Sequence, residues 1–199
     1  MLGKIVLGRR LARHLVAAVL AVSPCAGCAA SLENSGLTSS DVPYTGQEQQ
    51  LFDDTFRAEL FGVEHTAFPP ETDRALAKRT TLADAVFPAK VVTLTRQGAP
   101  GAESYTLVIR PEGAALSGQS VSEPLSLTIP PENPTFAFLR GIGERWVGTR
   151  MILFLRAYTD GLHFHATVDS EPVRRAIERA AVLQMLTRPA AMGAPGATP

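Results

Sequence analysis

The sequence predicts an α+β domain: a small antiparallel β-sheet or partly open barrel of about five strands, with flanking N- and C-terminal helices. Three observations predict it. Residues 105–110, 125–129 and 162–168 alternate apolar and polar side chains, the period of a half-buried strand. Turn signals separate the strand segments, QGAPGA at 97–102 and Asp160-Gly161. Helix-spaced apolar residues stand at both ends, Phe52, Phe56 and Leu60 near the start and Val173, Ile177, Ala180 and Ala181 near the finish. Hydrophobic residues make up 45% of the 199, enough for a packed core, which excludes a fully disordered chain.

Thr45-Gly46-Gln47-Glu48 fits a capping box, and with the Phe52, Phe56, Leu60 stripe it predicts a helix over 47–60 that stops at Gly62. Residues 63–70 read as loop and 71–79 (ETDRALAKR) as a second, mostly polar helix. The Val- and Thr-rich run 89–96 (AKVVTLTR) predicts a strand paired with 105–110 as a hairpin. Leu125, Leu127 and Ile129 line one face of the next strand, which Pro130-Pro131 closes. Asn133 as cap and Pro134 in the first turn start a short helix with Phe136 and Leu139 on its apolar face. Residues 150–158 (RMILFLRAY) are apolar on both faces, so they form a central strand covered on each side. In 162–168, Leu162, Phe164, Ala166 and Val168 make the buried face and His163, His165 and Thr167 the wet one. Ser170-Glu171-Pro172 opens a final helix reaching about residue 186.

Residues 1–14 hold Lys4, Arg9, Arg10 and Arg13 and no acid; an apolar run, LVAAVLAV, and a small-residue exit around Cys25-Ala26-Gly27-Cys28-Ala29-Ala30 follow. These are the parts of a secretory signal, and the apolar run is too short to span a bilayer. Ala26-Gly27-Cys28 resembles the end of the lipobox of bacterial lipoproteins, with Cys25 where that family usually carries Leu. The resemblance implies acylation of Cys28, a membrane partner through the N-terminal lipid, and, because Ala29 is not Asp, the outer membrane of a two-membrane cell facing the periplasm. Cleavage after Ala30 by an ordinary signal peptidase, giving a secreted or periplasmic soluble protein, is the rival. Arg9-Arg10-Leu11 also resembles a twin-arginine signal.

The organisation that follows is a signal peptide at 1–27, a flexible tether at 28–45, one globular domain at 46–188 and a disordered Ala/Gly/Pro tail at 189–199. Cys25 and Cys28 form a C-x-x-C inside the processing site rather than in a folded domain, so no catalytic thiol is expected. Nineteen basic residues balance nineteen acidic ones. Loss of residues 1–27 leaves 15 against 19, a charge of −4 that gives no footprint for nucleic acid.

Within the domain, Ala83-Asp84-Ala85-Val86 with Ala89-Lys90-Val91-Val92-Thr93 resembles the first strand of small OB-like, netrin-type barrels of exported bacterial proteins. Leu116-Ser117-Gly118 stands where those carry L-K-G, and residues 148–155 (GTRMILFL) are similar to their glycine-led late strand. The resemblance covers about 82–165 and implies a binding or inhibitory module more than an enzyme.

The chemistry-bearing candidates are few. His163 and His165 point to one strand face, the geometry in which two imidazoles can reach one metal; Asp169 lies further along that face and Asp160 across the turn, each able to add an oxygen, while histidines on the wet face of a half-buried strand need no ligand, and no stoichiometric zinc is expected. A catalytic zinc needs a third protein ligand, which the local pattern does not supply. Gly141-Ile142-Gly143 lacks a third glycine, Trp146 standing there, so it is a turn rather than a dinucleotide loop, with Trp146 packed in or beside the core. Ser117 lacks the G-x-S-x-G elbow. Asp53-Asp54 are adjacent on the expected first helix and read as solvated surface, as do Arg174, Arg175 and Arg179 on the last. Phe136 and Phe138 read as core rather than groove. The sum is an exported, lipid-anchored envelope protein without a cofactor, acting as a non-enzymatic binding or structural module with an envelope protein as its partner. The alternative is an exported metal-dependent protein, a hydrolase, built on His163 and His165.

Overall fold

The computed structural model describes residues 36–38, 40–63, 68–99 and 102–187. The expected signal, the expected acylation site Cys28 and the tail at 189–199 lie outside the described residues. Among the described residues four α-helices and seven strands follow in the order α1 (Gln47–Leu51), β1 (Thr55–Phe56), α2 (Arg74–Leu82), β2 (Ala85–Gln97), β3 (Ser104–Pro111), β4 (Ser117–Gly118), β5 (Leu125–Ile129), α3 (Thr135–Ile142), β6 (Arg150–Ala157), β7 (Leu162–Val168) and α4 (Glu171–Thr187). The strands form one curled, open sheet ordered β1-β7-β6-β2-β3-β5, with β4 also on β2. Every pair is antiparallel except β1 with β7. This is the α+β, partly open barrel read from the sequence: five longer strands and two of two residues each.

Two cores lie on opposite faces of the sheet. Leu107, Ile109, Leu127, Leu153, Leu155 and Phe164 fill the inner one, which Leu139 of α3 and Trp146 close. Phe52, Leu76, Val86, Ile152, Phe154 and Ile177 fill the outer one, beneath α1, α2 and α4. Residues 151–155 of β6 are buried without exception, as a central strand covered on both sides requires. Tyr158 N donates to Gly161 O at 2.7 Å, closing the expected Asp160-Gly161 turn.

The first helix is shorter than the sequence predicts. It ends at Leu51, and the chain then passes through Asp54 at φ 53°, the one described non-glycine residue in the left-handed region. The stripe that looks helical is divided between two cores, Phe52 in the outer and Phe56 in the inner. The capping box does not form: Gly46 is the cap, and Glu48 accepts from the Tyr158 hydroxyl at 2.6 Å and pairs with Arg156 at 3.1 Å. Gly62 does end a turn, a 3-10 helix at Ala58–Phe61, with φ 75°. α2 begins three residues late because Asp73 accepts from Ala75 N and Leu76 N and sets the cap.

β2 begins at Ala85, earlier than its Val-rich part suggests. Pro88 is tolerated there. Its carbonyl accepts from Glu112 N, so its missing N–H points to the same edge, in the gap between the β4 partners Ala85 and Val86 and the β3 partners that start at Ala89. The stretches carrying the barrel resemblance meet here. Gly118 approaches Asp84 so closely that a Cβ would stand 2.2 Å from its carbonyl oxygen, and Asp84 Oδ2 accepts from Ala157 N at 2.8 Å. Residues 40–45, placed in the tether by sequence, lie on the domain: Thr159 N donates to Val42 O at 3.0 Å, and the Tyr44 ring stacks on His163.

Candidate functional site

The outward-facing residues of β7 are the centre of the polar structure. His163, His165 and Thr167 share a face, as the alternation predicts, but the face is not wet: they are 7%, 6% and 4% exposed. The helices and the turn after α1 cover it. Asp53 and Asp54, read from sequence as solvated, are the reason. His163 Nδ1 donates to Asp54 Oδ2 at 2.7 Å, and His165 Nδ1 donates to Asp53 Oδ1 at 2.8 Å. Asp54 Oδ1 also accepts from Phe164 N at 2.9 Å, and Asp54 O accepts from Asn133 Nδ2 at 2.8 Å. The left-handed residue at 54 aims two consecutive carboxylates at two alternate residues of one strand.

The two pairs differ electrically. Burial pushes the Asp54 carboxyl above its ordinary value. Burial pulls the His163 imidazole down, but the hydrogen bond and charge of Asp54, then Asp160, outweigh it and hold its pKa above the ordinary value. Burial depresses His165, and the charge of Arg79 adds to that, outweighing the hydrogen bond to Asp53. Burial would raise Asp53, but the hydrogen bond and charge of His165 outweigh it and leave its pKa lowered. In the first pair both groups are shifted upward, His163 by its carboxylate partners and Asp54 by burial; in the second both are shifted downward, which favours the neutral ring at His165. His165 Nε2 is buried without a hydrogen-bond partner.

Arg79 of α2 completes the group. It is 5% exposed, its Nε donates to Leu51 O, and its guanidinium lies 5.8 Å from the Phe154 ring centre. Burial pulls its pKa down to about 10 against the charges of Asp53 and Asp73. Two cavities adjoin it. One of about 280 Å³ opens between Pro70, Leu76, Val168 and Val173; one of about 360 Å³ lies over His165, Thr135 and Phe138. Arg57, Glu59, Asp73 and Arg79 border both.

Of the residues singled out by sequence, Asp160 reaches His163 Nε2 at 3.4 Å. Asp169 does not join the histidines: Arg174 holds it through bonds of 2.6 and 2.7 Å. Among the described residues no group of three His, Cys, Asp or Glu side chains is placed to hold a metal. Arg175 and Arg179 are exposed on α4. Trp146 packs in the inner core against Phe56 and Phe61, Phe136 packs against Tyr105, and Phe138 stacks on Phe61 at the rim with 38% exposure. Arg79 and Tyr44 are not among the sequence candidates, and Asp53 and Asp54, read there as solvated surface, are instead hydrogen-bond partners of the buried histidines. The one sequence signal for the pairing of Asp53 and Asp54 is the match of an adjacent acid pair to an alternating histidine pair. No helix among the described residues is long and apolar enough to cross a membrane. No protein-family model matches the chain, and neither does any curated protein or any solved structure.

Proposed function

We propose that this chain is an exported, lipid-anchored cell-envelope protein whose domain is a non-enzymatic binding module. The observation that carries the reading is how the domain spends its ionisable groups. Asp53, Asp54, His163 and His165 pair with one another beneath the helices as struts, while an apolar-walled cavity stands open beside Arg79. The meeting of Asp84 with Gly118 supports the resemblance to OB-like barrels, which implies a binding or inhibitory role. Acyl chains on Cys28, at about 0.8 kcal/mol per buried methylene, would supply the anchor. The test is Cys28→Ser with labelled fatty acid and membrane fractionation: label and membrane association are lost, and unchanged labelling overturns the anchor.

A second reading, an exported metal-dependent protein using His163 and His165, is favoured by one observation. Each imidazole carries a carboxylate on Nδ1, the arrangement that orients metal-bound histidines. Metal analysis of the full chain purified without chelator separates the readings. One equivalent of zinc, lost in the His163→Gln/His165→Gln variant, would put the metal reading first.

A further inference from the structure

We propose that the cavity between the Pro70–Thr72 turn, the end of β7 and the start of α4 binds a small apolar monocarboxylate, with the Arg79 guanidinium as its counter-ion. The walls are apolar: Phe68, Pro70, Leu76, Val168, Pro172 and Val173. Two cations border the space, and only one is already spent. Arg57 donates to Glu59 at 2.7 and 3.2 Å and stands 3.6 Å from Asp73. Arg79 appears in none of the ion pairs within 4 Å among the described residues; its one hydrogen bond there is from Nε to a backbone carbonyl.

A desolvated cation without a directly bonded anion is costly, and the planar guanidinium is shaped to take a carboxylate through paired N–H groups. Thr167, 4% exposed on the wall, brings a hydroxyl for the second carboxylate oxygen. The charged side chains on this cavity balance, Arg57 and Arg79 against Glu59 and Asp73. A bound monocarboxylate therefore leaves one negative charge in excess and a dianion two, so dianions are disfavoured more strongly. The apolar walls disfavour strongly hydrated anions such as phosphate and reward a compact aliphatic or aromatic body. The neighbouring cavity is also lined by Arg79, together with His165, so Arg79 borders both spaces.

This deepens the reading of the domain as a binding module and is independent of the anchor: acyl labelling of Cys28 and ligand binding succeed or fail separately. Calorimetric titration of the full chain tests it with cyclohexanecarboxylate, its neutral isostere cyclohexanecarboxamide, and inorganic phosphate. The carboxylate binds saturably, the amide binds at least about tenfold more weakly, and phosphate neither binds nor competes. Arg79→Met removes the preference for acid over amide, and Thr167→Val weakens the acid by about threefold or more. Equal affinity for acid and amide, competition by phosphate, or a folded Arg79→Met that keeps the preference would each overturn the proposal. Where Arg79→Met fails to fold, the acid and amide comparison on the unaltered chain decides.

Discussion

His163 and His165 stand two residues apart on one face of β7, each bonded through Nδ1 to its own member of the Asp53-Asp54 pair, yet their pKa values are shifted in opposite directions. Asp54 and Asp160 favour the cation at His163, whereas burial and Arg79 favour the neutral ring at His165. Their contributions to stability therefore have opposite pH dependence. The His163 pKa is raised on folding, so its stabilisation is complete below the unfolded value of 6.5 and is lost as pH rises through the folded value. The His165 pKa is lowered, so its stabilisation is present above 6.5 and is lost as pH falls through the folded value. Urea midpoints should show His163→Gln more damaging near about pH 6 than near about pH 9, and His165→Gln more damaging near about pH 8 than near about pH 5. Parallel pH profiles for the two variants would sink this assignment.

Asp54 ties the turn after α1 to β7. Asp54→Ala leaves His163 Nδ1 and the Phe164 amide without their acceptor and puts alanine at φ 53°. The expected loss is about 3–5 kcal/mol. Asp54→Asn, which tolerates the left-handed conformation and keeps an acceptor, should cost less and lower the His163 pKa. Chemical denaturation and an NMR titration of the ring check both. An Asp54→Asn that leaves the His163 titration in place contradicts the pairing.

Leu155 of β6 pairs with Ala85 of β2 and Phe164 of β7 and has no exposed surface. Leu155→Ala should cost about 2–5 kcal/mol by leaving a cavity in the inner core. An unchanged denaturant midpoint would show that the strand does not carry the core.

Two glycines should respond in opposite ways to alanine. Gly118, at φ 74°, would place a Cβ 2.2 Å from the Asp84 carbonyl oxygen, so Gly118→Ala must part β4 from β2 and should cost about 1–3 kcal/mol or more. Gly141 lies in α3 with nothing within 4 Å of the added carbon. Gly141→Ala should therefore stabilise by up to about 1 kcal/mol. Thermal melts of the two variants that shift in the same direction would contradict the placement of one of them.

The sheet was legible in the sequence because its signals are local. β3, β5 and β7 carry their own alternation, β2 its Val- and Thr-rich run, β6 its unbroken apolar run, and turn signals lie between them. The start of the domain was not legible because its determinants are distant. Phe52, Phe56 and Leu60 have helical spacing, but Asp54 meets partners 109 and 110 positions away, and those bonds prevail over the local stripe. The burial of the histidine face escaped for the same reason. Alternation tells which residues share a face of β7, and only the packing of α1, α2 and the Asp53-Asp54 turn decides that this face is covered. A substitution of both histidines, neutral on a wet face, becomes a change to a buried network.

The two-residue strand β1 is small, but it governs the exposed side of β7. Asp54 N donates to Phe164 O, Arg57 N donates to Ala166 O, and the Asp54 carboxylate takes the Phe164 amide, so four consecutive residues seal the main chain of an apolar strand. Until that clasp closes, β7 is an unguarded sheet edge, the kind of template on which a second chain adds its own strand. The clasp joins parts of the chain more than a hundred positions apart, so closing it carries the entropy cost of a long loop. Resistance of this protein to aggregation is therefore vested less in the long strands that build its sheet than in Asp54, whose loss would leave a folded barrel with an adhesive flank.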